Sequence, residues 1–306
     1  MLPRPARYFP VDRAPLKMQA GLHKLGTDFG NGTRDALFFQ RDAEAARYRA
    51  AKHRAERDGF AAPIERLNVS LVSDTNTVSD TNTVSDTEKR AHEAVASWML
   101  ETLSREAPEL SQELPANAAS PAEVYRSVAA EVQEDFAVIR RDGDVDRAIA
   151  LSVCFPSGWR PERLVGASFE EIHRPVPRFA KTAVVAKSMV SSMIDRGPYV
   201  RFVWTLSADD TLDHHPEEGR REPWTDETTG FFRVERQLTV PFADVSTALF
   251  LIRTYVYPLA SLNDIELDTL GQAMRVMPED VAEYKGLGRW TTQIHRAIEA
   301  AKRSIR

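Results

Sequence analysis

Cysteine is almost missing from this chain: Cys154 stands alone among 306 residues. A single thiol rules out an internal disulfide, and the chain cannot by itself supply a cysteine-based zinc site or an iron–sulfur cluster. No apolar run nears the roughly eighteen residues that a membrane span requires. The opening MLPRPARYFPVDR lacks the apolar stretch of a signal peptide, so a cytoplasmic location is expected and a membrane is not. Basic tails and stripes are absent and the net charge is -5, so nucleic acid is not an expected partner either. Neither G-x-x-x-x-G-K-[ST] nor H-E-x-x-H occurs. The glycines from Gly26 to Gly32 follow no convincing strand, which removes the dinucleotide fingerprint there.

What remains is an ordinary folded composition, 42% apolar and 28% charged, with length enough for a large core. The expectation is one domain over 1–306 with a flexible insertion at about 73–87, where SDTNTV occurs twice in tandem. Small polar side chains of that kind have little to bury. Residues 1 to 33 read as an irregular arm pinned by Phe9, Leu16, Leu22 and Leu25. Asp42 to Arg57 reads as a helix ended by Gly59. Glu88 to Leu103 reads as a second helix, with Val95, Met99 and Leu103 at four-residue spacing. Ser120, Pro121 and Glu123 predict a capped third helix running to about Ile139, its apolar side formed by Val124, Val128, Val132 and Phe136.

Two patches organise the rest. From Ala148 to Pro177 a strand ends at Pro156 and Gly158. Ser168 and Glu171 then have capping-box spacing for a very short helix. Pro175 and Pro177 forbid its continuation and leave His173 at its C-terminal end. A helix over Phe179 to Ile194 and a strand over Tyr199 to Ser207 follow. Ala208 to Asp226 reads as a polar surface loop that exposes His214 and His215. In the second patch, Phe231 to Val240 alternates. Phe232, Val234, Arg236, Leu238 and Val240 take one face, and Phe231, Arg233, Glu235, Gln237 and Thr239 the other. Ala248 to Tyr257 places Arg253 and Tyr255 in one row. The tail from Asp264 reads as two or three helices. The fold class expected is α+β: an antiparallel sheet with flanking helices.

A neutral imidazole such as His173 suits haem iron or zinc, and equally caps a helix end. Cys154 is a possible thiolate ligand or a small buried strand residue. Glu235 could move protons or hold a cationic amine. Arg236 and Arg253 could hold anionic groups or pair internally. Residues 235 and 236 point to opposite faces of a regular strand, so both cannot line one pocket without a bulge or an edge.

Together, VCFPSGWRPERLVG, EIHRPVP, RFVW, FFRVERQ and ALFLIRTYVYPL resemble the haem-dependent oxidative N-demethylase family, formerly a domain of unknown function. The stretch from Asp42 to Lys52 fits loosely, and the resemblance runs from about Arg7 to Ile298. It implies a PAS-like curved antiparallel sheet holding haem b through one axial histidine. The implied activity is oxidative N-demethylation of a small secondary amine with O2. Electrons would come from NADPH through a flavin and iron–sulfur reductase, here a separate partner. Carried over, His173 is the iron ligand. His173, Arg233, Arg236 and Arg253 are the haem-binding candidates, and Glu235, Arg236 and Tyr255 the catalytic ones. The chain departs from the family after Gln237, where Leu238, Thr239, Val240 and Pro241 displace the usual threonine and second arginine. Val203 replaces an asparagine before Trp204. A non-catalytic haem sensor or carrier on the same scaffold is the alternative, and a purely structural module the third reading.

Overall fold

The computed structural model describes residues 2–11, 21–59, 85–112, 114, 120–177, 183–217 and 221–305. A two-residue strand β1 (His23–Lys24) and helix α1 (Ala45–Arg57) come first. Helices α2 (Asp86–Glu106), α3 (Pro108–Ser111) and α4 (Pro121–Glu131) follow, then the hairpin β2 (Asp135–Asp142) and β3 (Val145–Ser152). After α5 (Phe169–His173) and α6 (Ala183–Asp195) come the long strands β4 (Tyr199–Ser207), β5 (Phe231–Phe242) and β6 (Thr247–Pro258). Helices α7 (Asp264–Arg275), α8 (Glu279–Tyr284) and α9 (Thr291–Ile305) complete the order. Most of the SDTNTV segment and Leu16 lie outside the described residues, and Ser85 accepts from the backbone of Glu88 to cap α2.

The strands form one open antiparallel sheet in the order β1-β4-β5-β6-β2-β3. The α+β expectation therefore holds. Among the described residues no helix is long and apolar enough to cross a membrane. The capping box at Ser120 forms, and so does the one at Ser168.

The third helix is shorter than its spacing predicts. It stops at Glu131, Val132 turns extended, and Phe136 and Ile139 belong to β2. The four-residue spacing of Val124, Val128, Val132 and Phe136 crosses a real boundary, because a short apolar run fits either period. Strand pairing decides the case: β2 lies between β6 and β3 and bonds to both. Gly143, at φ 58°, turns the hairpin, a conformation that glycine adopts without strain.

The two faces of the sheet differ. On one, Leu238, Val240, Leu249 and Leu251 pack on α2 and α4 through Met99, Leu103, Val124 and Val128. The same face continues as Trp204, Phe232, Val234 and Tyr255 against α7 and α9. Each fully buried Leu or Phe there contributes about 1.5–3 kcal/mol. The opposite face is covered only in parts. Helix α6 packs Ala186, Val190 and Ile194 on Ile139 and Ala248. Cys154, Phe155 and Leu212 pack together with Val256 elsewhere on that face.

Candidate functional site

Between those covered parts runs a half-buried strip on the central strands. Direct cross-strand pairs share a face, and the register sets Arg201 beside Gln237, Val203 beside Glu235, and Thr205 beside Arg233. Across β6, Ile252 pairs Gln237 and Thr254 pairs Glu235. Arg201, Val203, Thr205, Glu235, Gln237, Phe250 and Ile252 are only half-buried, although β5 and β6 are inner strands. Half-buried polar and apolar side chains together on inner strands make this strip a candidate place for a ligand.

Helix α5 stands beside this strip. Its Phe169 packs with α6, and Ile172, like Trp159 and Phe250, packs against the cluster of Ala137, Ala148, Leu151 and Val153. His173 is the last residue of that helix, and its Nδ1 lies 2.8 Å from the Phe169 carbonyl oxygen. Burial pushes its pKa down to about 4. The Phe169 carbonyl pulls it up and the nearby Arg201 charge pushes it down. The imidazole is therefore neutral at physiological pH.

Glu235 is held on both oxygens. Ser157 donates to Oε1, and Gln237 Nε2 donates to Oε2 at 2.8 Å. Three cations answer to it. Arg201 is lowered from its ordinary pKa by burial and raised again by Glu235 and Tyr284, and it makes no hydrogen bond or ion pair among the described residues. Lys285, half-buried, donates to the Trp204 carbonyl oxygen. Burial brings its pKa down to about 8, with Glu235 opposing and Arg201 adding. Arg233 is fully used by the protein: Nη1 donates to Leu212 O at 2.8 Å and Nη2 to Phe155 O at 3.1 Å.

The other expected residues lie elsewhere. Arg236, Arg253 and Tyr255 are on the helix-packed face, opposite Glu235, because the strands are regular. They tie the segment 35–42 to the sheet. Arg236 Nη2 donates to Leu37 O at 2.7 Å, Arg253 Nη2 to Asp42 Oδ2 at 2.8 Å, and Tyr255 to Gln40 Oε1. Burial also lifts Tyr255 well above its ordinary pKa. The structure thus places His173, Arg233 and Glu235 on one side of the sheet and does not bring the remaining three to them.

His214 and His215 are not on the surface. They are 3% and 0% exposed, because their segment pairs backbone to backbone with the Pro156–Gly158 turn. Cys154 is buried, and burial raises its thiol pKa. Among the described residues no group of three or more His, Cys, Asp or Glu converges as a metal cage. Sequence reasoning missed Ser157, Arg201 and Lys285. Arg201 was open to detection, since it alternates on β4 with Val203 and Thr205. Lys285 gave no such signal, because it reaches the sheet edge from a tail helix.

The strip, the anchored histidine and the glutamate all fall within the part of the sequence matched by a known family. The family described as "haem-dependent oxidative N-demethylase, alpha subunit-like" matches residues 87–295, which is most of the chain, and this protein belongs to that family.

Proposed function

We propose that this chain is the haem-bearing subunit of a monooxygenase that removes a methyl group from a small secondary amine. O2 and electrons from a separate reductase complete the reaction, and the haem is of the b type. The chain acts as one cytoplasmic domain with a PAS-like sheet. The observation that carries the reading is His173: a neutral imidazole, fixed through Nδ1, beside a half-buried strip of the sheet.

The residues present fit a haem. Metal ligation needs a neutral ring, and the Nδ1 hydrogen bond fixes the orientation of this one. Arg201 offers a half-buried guanidinium with no ion pair among the described residues, suited to a propionate. Val203, Phe250 and Ile252 offer apolar surface on the same face. When bound, haem iron supplies oxygen activation and electron transfer.

The chain's own residues handle the amine. Glu235, oriented by Ser157 and Gln237, holds a cationic ammonium or accepts its proton at the carboxylate. Lys285 and Arg201 balance that charge. Arg233 is a positioning residue that fixes the turn carrying Ser157, since its Nε also reaches Ser157 Oγ at 3.4 Å. Arg236, Arg253 and Tyr255 serve the fold. The test is oxygen uptake by the haem-loaded chain with a surrogate reductase across a panel of N-methyl amines. Amine-dependent uptake with stoichiometric formaldehyde is expected. Haem uptake without any amine-dependent oxygen consumption would favour a carrier or sensor instead.

A further inference from the structure

A cavity lies at the C-terminal end of β4, between residues 206–217 and 221–224 on one side and residues 283–290 on the other, with a volume of about 510 Å³. That size is in the range of small-molecule sites. Neither His173 nor Glu235 lines it. Lys285 is the shared wall: it faces this cavity while its charge also acts on Glu235.

Trp224 is 6% exposed and forms part of the lining with His214. His214 is 3% exposed, its Nε2 has no hydrogen-bond partner among the described residues, and burial keeps the ring neutral. A ligand reaching that depth meets an unsatisfied polar atom, which costs free energy while it stays unpaired. Nearer to solvent stand Arg221 and Arg289, neither with an ion pair among the described residues, and the Arg289 guanidinium lies 4.9 Å from the centre of the Trp290 ring. Both arginines line the cavity; burial pushes the pKa of Arg221 down, Asp209 pulls it up, and Arg289 adds a smaller push down. The acids in the wall are otherwise engaged or face water. Asp209 accepts from the backbone N–H groups of Thr211 at 2.8 Å and Glu222 at 2.6 Å. Glu217 is bound by Arg160 at 2.8 Å, and Glu222 and Glu283 are exposed.

We propose that this cavity is a second ligand site, taking a small oxyanion, a carboxylate or phosphate, that carries a flat aromatic body. The oxyanion offers acceptors to the planar forks of Arg221 and Arg289, which both line the cavity. The flat body packs against the cavity walls to which Trp224 and Trp290 contribute.

Calorimetric titration of the full chain tests this, with inorganic phosphate, benzoate and adenosine monophosphate as separate probes. Saturable binding of benzoate or the nucleotide, tighter than phosphate and weakened by salt, is expected. Whether the carboxylate or the phosphate probe binds more tightly identifies the head group. Arg221→Gln and Arg289→Gln should each weaken binding about tenfold, the loss of a charge-assisted hydrogen bond. Both sites are exposed, so the variants fold, and an unchanged circular dichroism spectrum checks it. No saturable heat from any probe at millimolar concentration overturns the proposal. So does equal affinity in the parent and both variants, or phosphate binding as tightly as the aromatic anions.

Discussion

His173 Nδ1 sits 2.8 Å from the carbonyl oxygen of Phe169, four residues earlier, and the two rings lie 3.9 Å apart between centroids. A carbonyl oxygen only accepts, so the ring must donate its proton from Nδ1. Nitrogen-15 NMR of the haem-free chain at pH 6 should show a neutral His173 ring with the proton on Nδ1. A doubly protonated ring at that pH would contradict the burial that lowers its pKa to about 4.

Acid should weaken the fold in a defined window. His92, on α2, is 1% exposed against Tyr125 of α4, and burial lowers its pKa to about 4. Between that value and the ordinary 6.5, the unfolded chain takes up a proton that the folded chain refuses. The stabilisation is therefore fully present above pH 6.5 and is lost as pH falls towards 4. The loss between pH 7 and 5 is about 2 kcal/mol for this one group. Denaturant unfolding at both pH values checks it: His92→Gln should show a smaller pH difference than the parent by about that amount.

The buried pair Asp42–Arg253 should be costly to break from one side. Arg253 is 1% exposed, stacks on Tyr48 at 3.8 Å, and already has Nε and Nη1 without hydrogen-bond partners. Asp42→Ala leaves that charge uncompensated, with an expected loss of about 3–5 kcal/mol. The double variant Asp42→Ala with Arg253→Met should lose less than Asp42→Ala alone. Urea midpoints compare the two.

Glu235→Gln keeps the shape of the side chain and removes its charge. Amine-dependent turnover should fall by about 100-fold or more while haem content stays at the parent level. Ser157→Ala, which frees one oxygen of Glu235, should cost less. Equal turnover in Glu235→Gln and the parent would remove Glu235 from the chemistry.

The strands that carry the site were legible because alternation is strict from Phe231 to Val240, and it set Glu235 and Arg236 on opposite faces. The half-buried strip was not legible, because that depends on where α2, α4, α7 and α9 dock. The role of Arg253 was hidden for a similar reason: Asp42 lies 211 positions away in sequence. His214 and His215 looked solvated because their neighbours are polar. Their burial comes from pairing with the Ser157 turn, which no local pattern announces. Phe136 was misread because helical and strand periods overlap over so short a stretch.

The central claim is that His173 holds the haem, and the optical spectrum tests it most directly. The parent and His173→Ala should be purified side by side after haem-supplemented expression, and the variant then titrated with imidazole. A stoichiometric Soret band in the parent is expected, lost or shifted in the variant and restored by imidazole, which also shows that the variant is folded. An identical band in both proteins, or no retained haem in the parent, would contradict it.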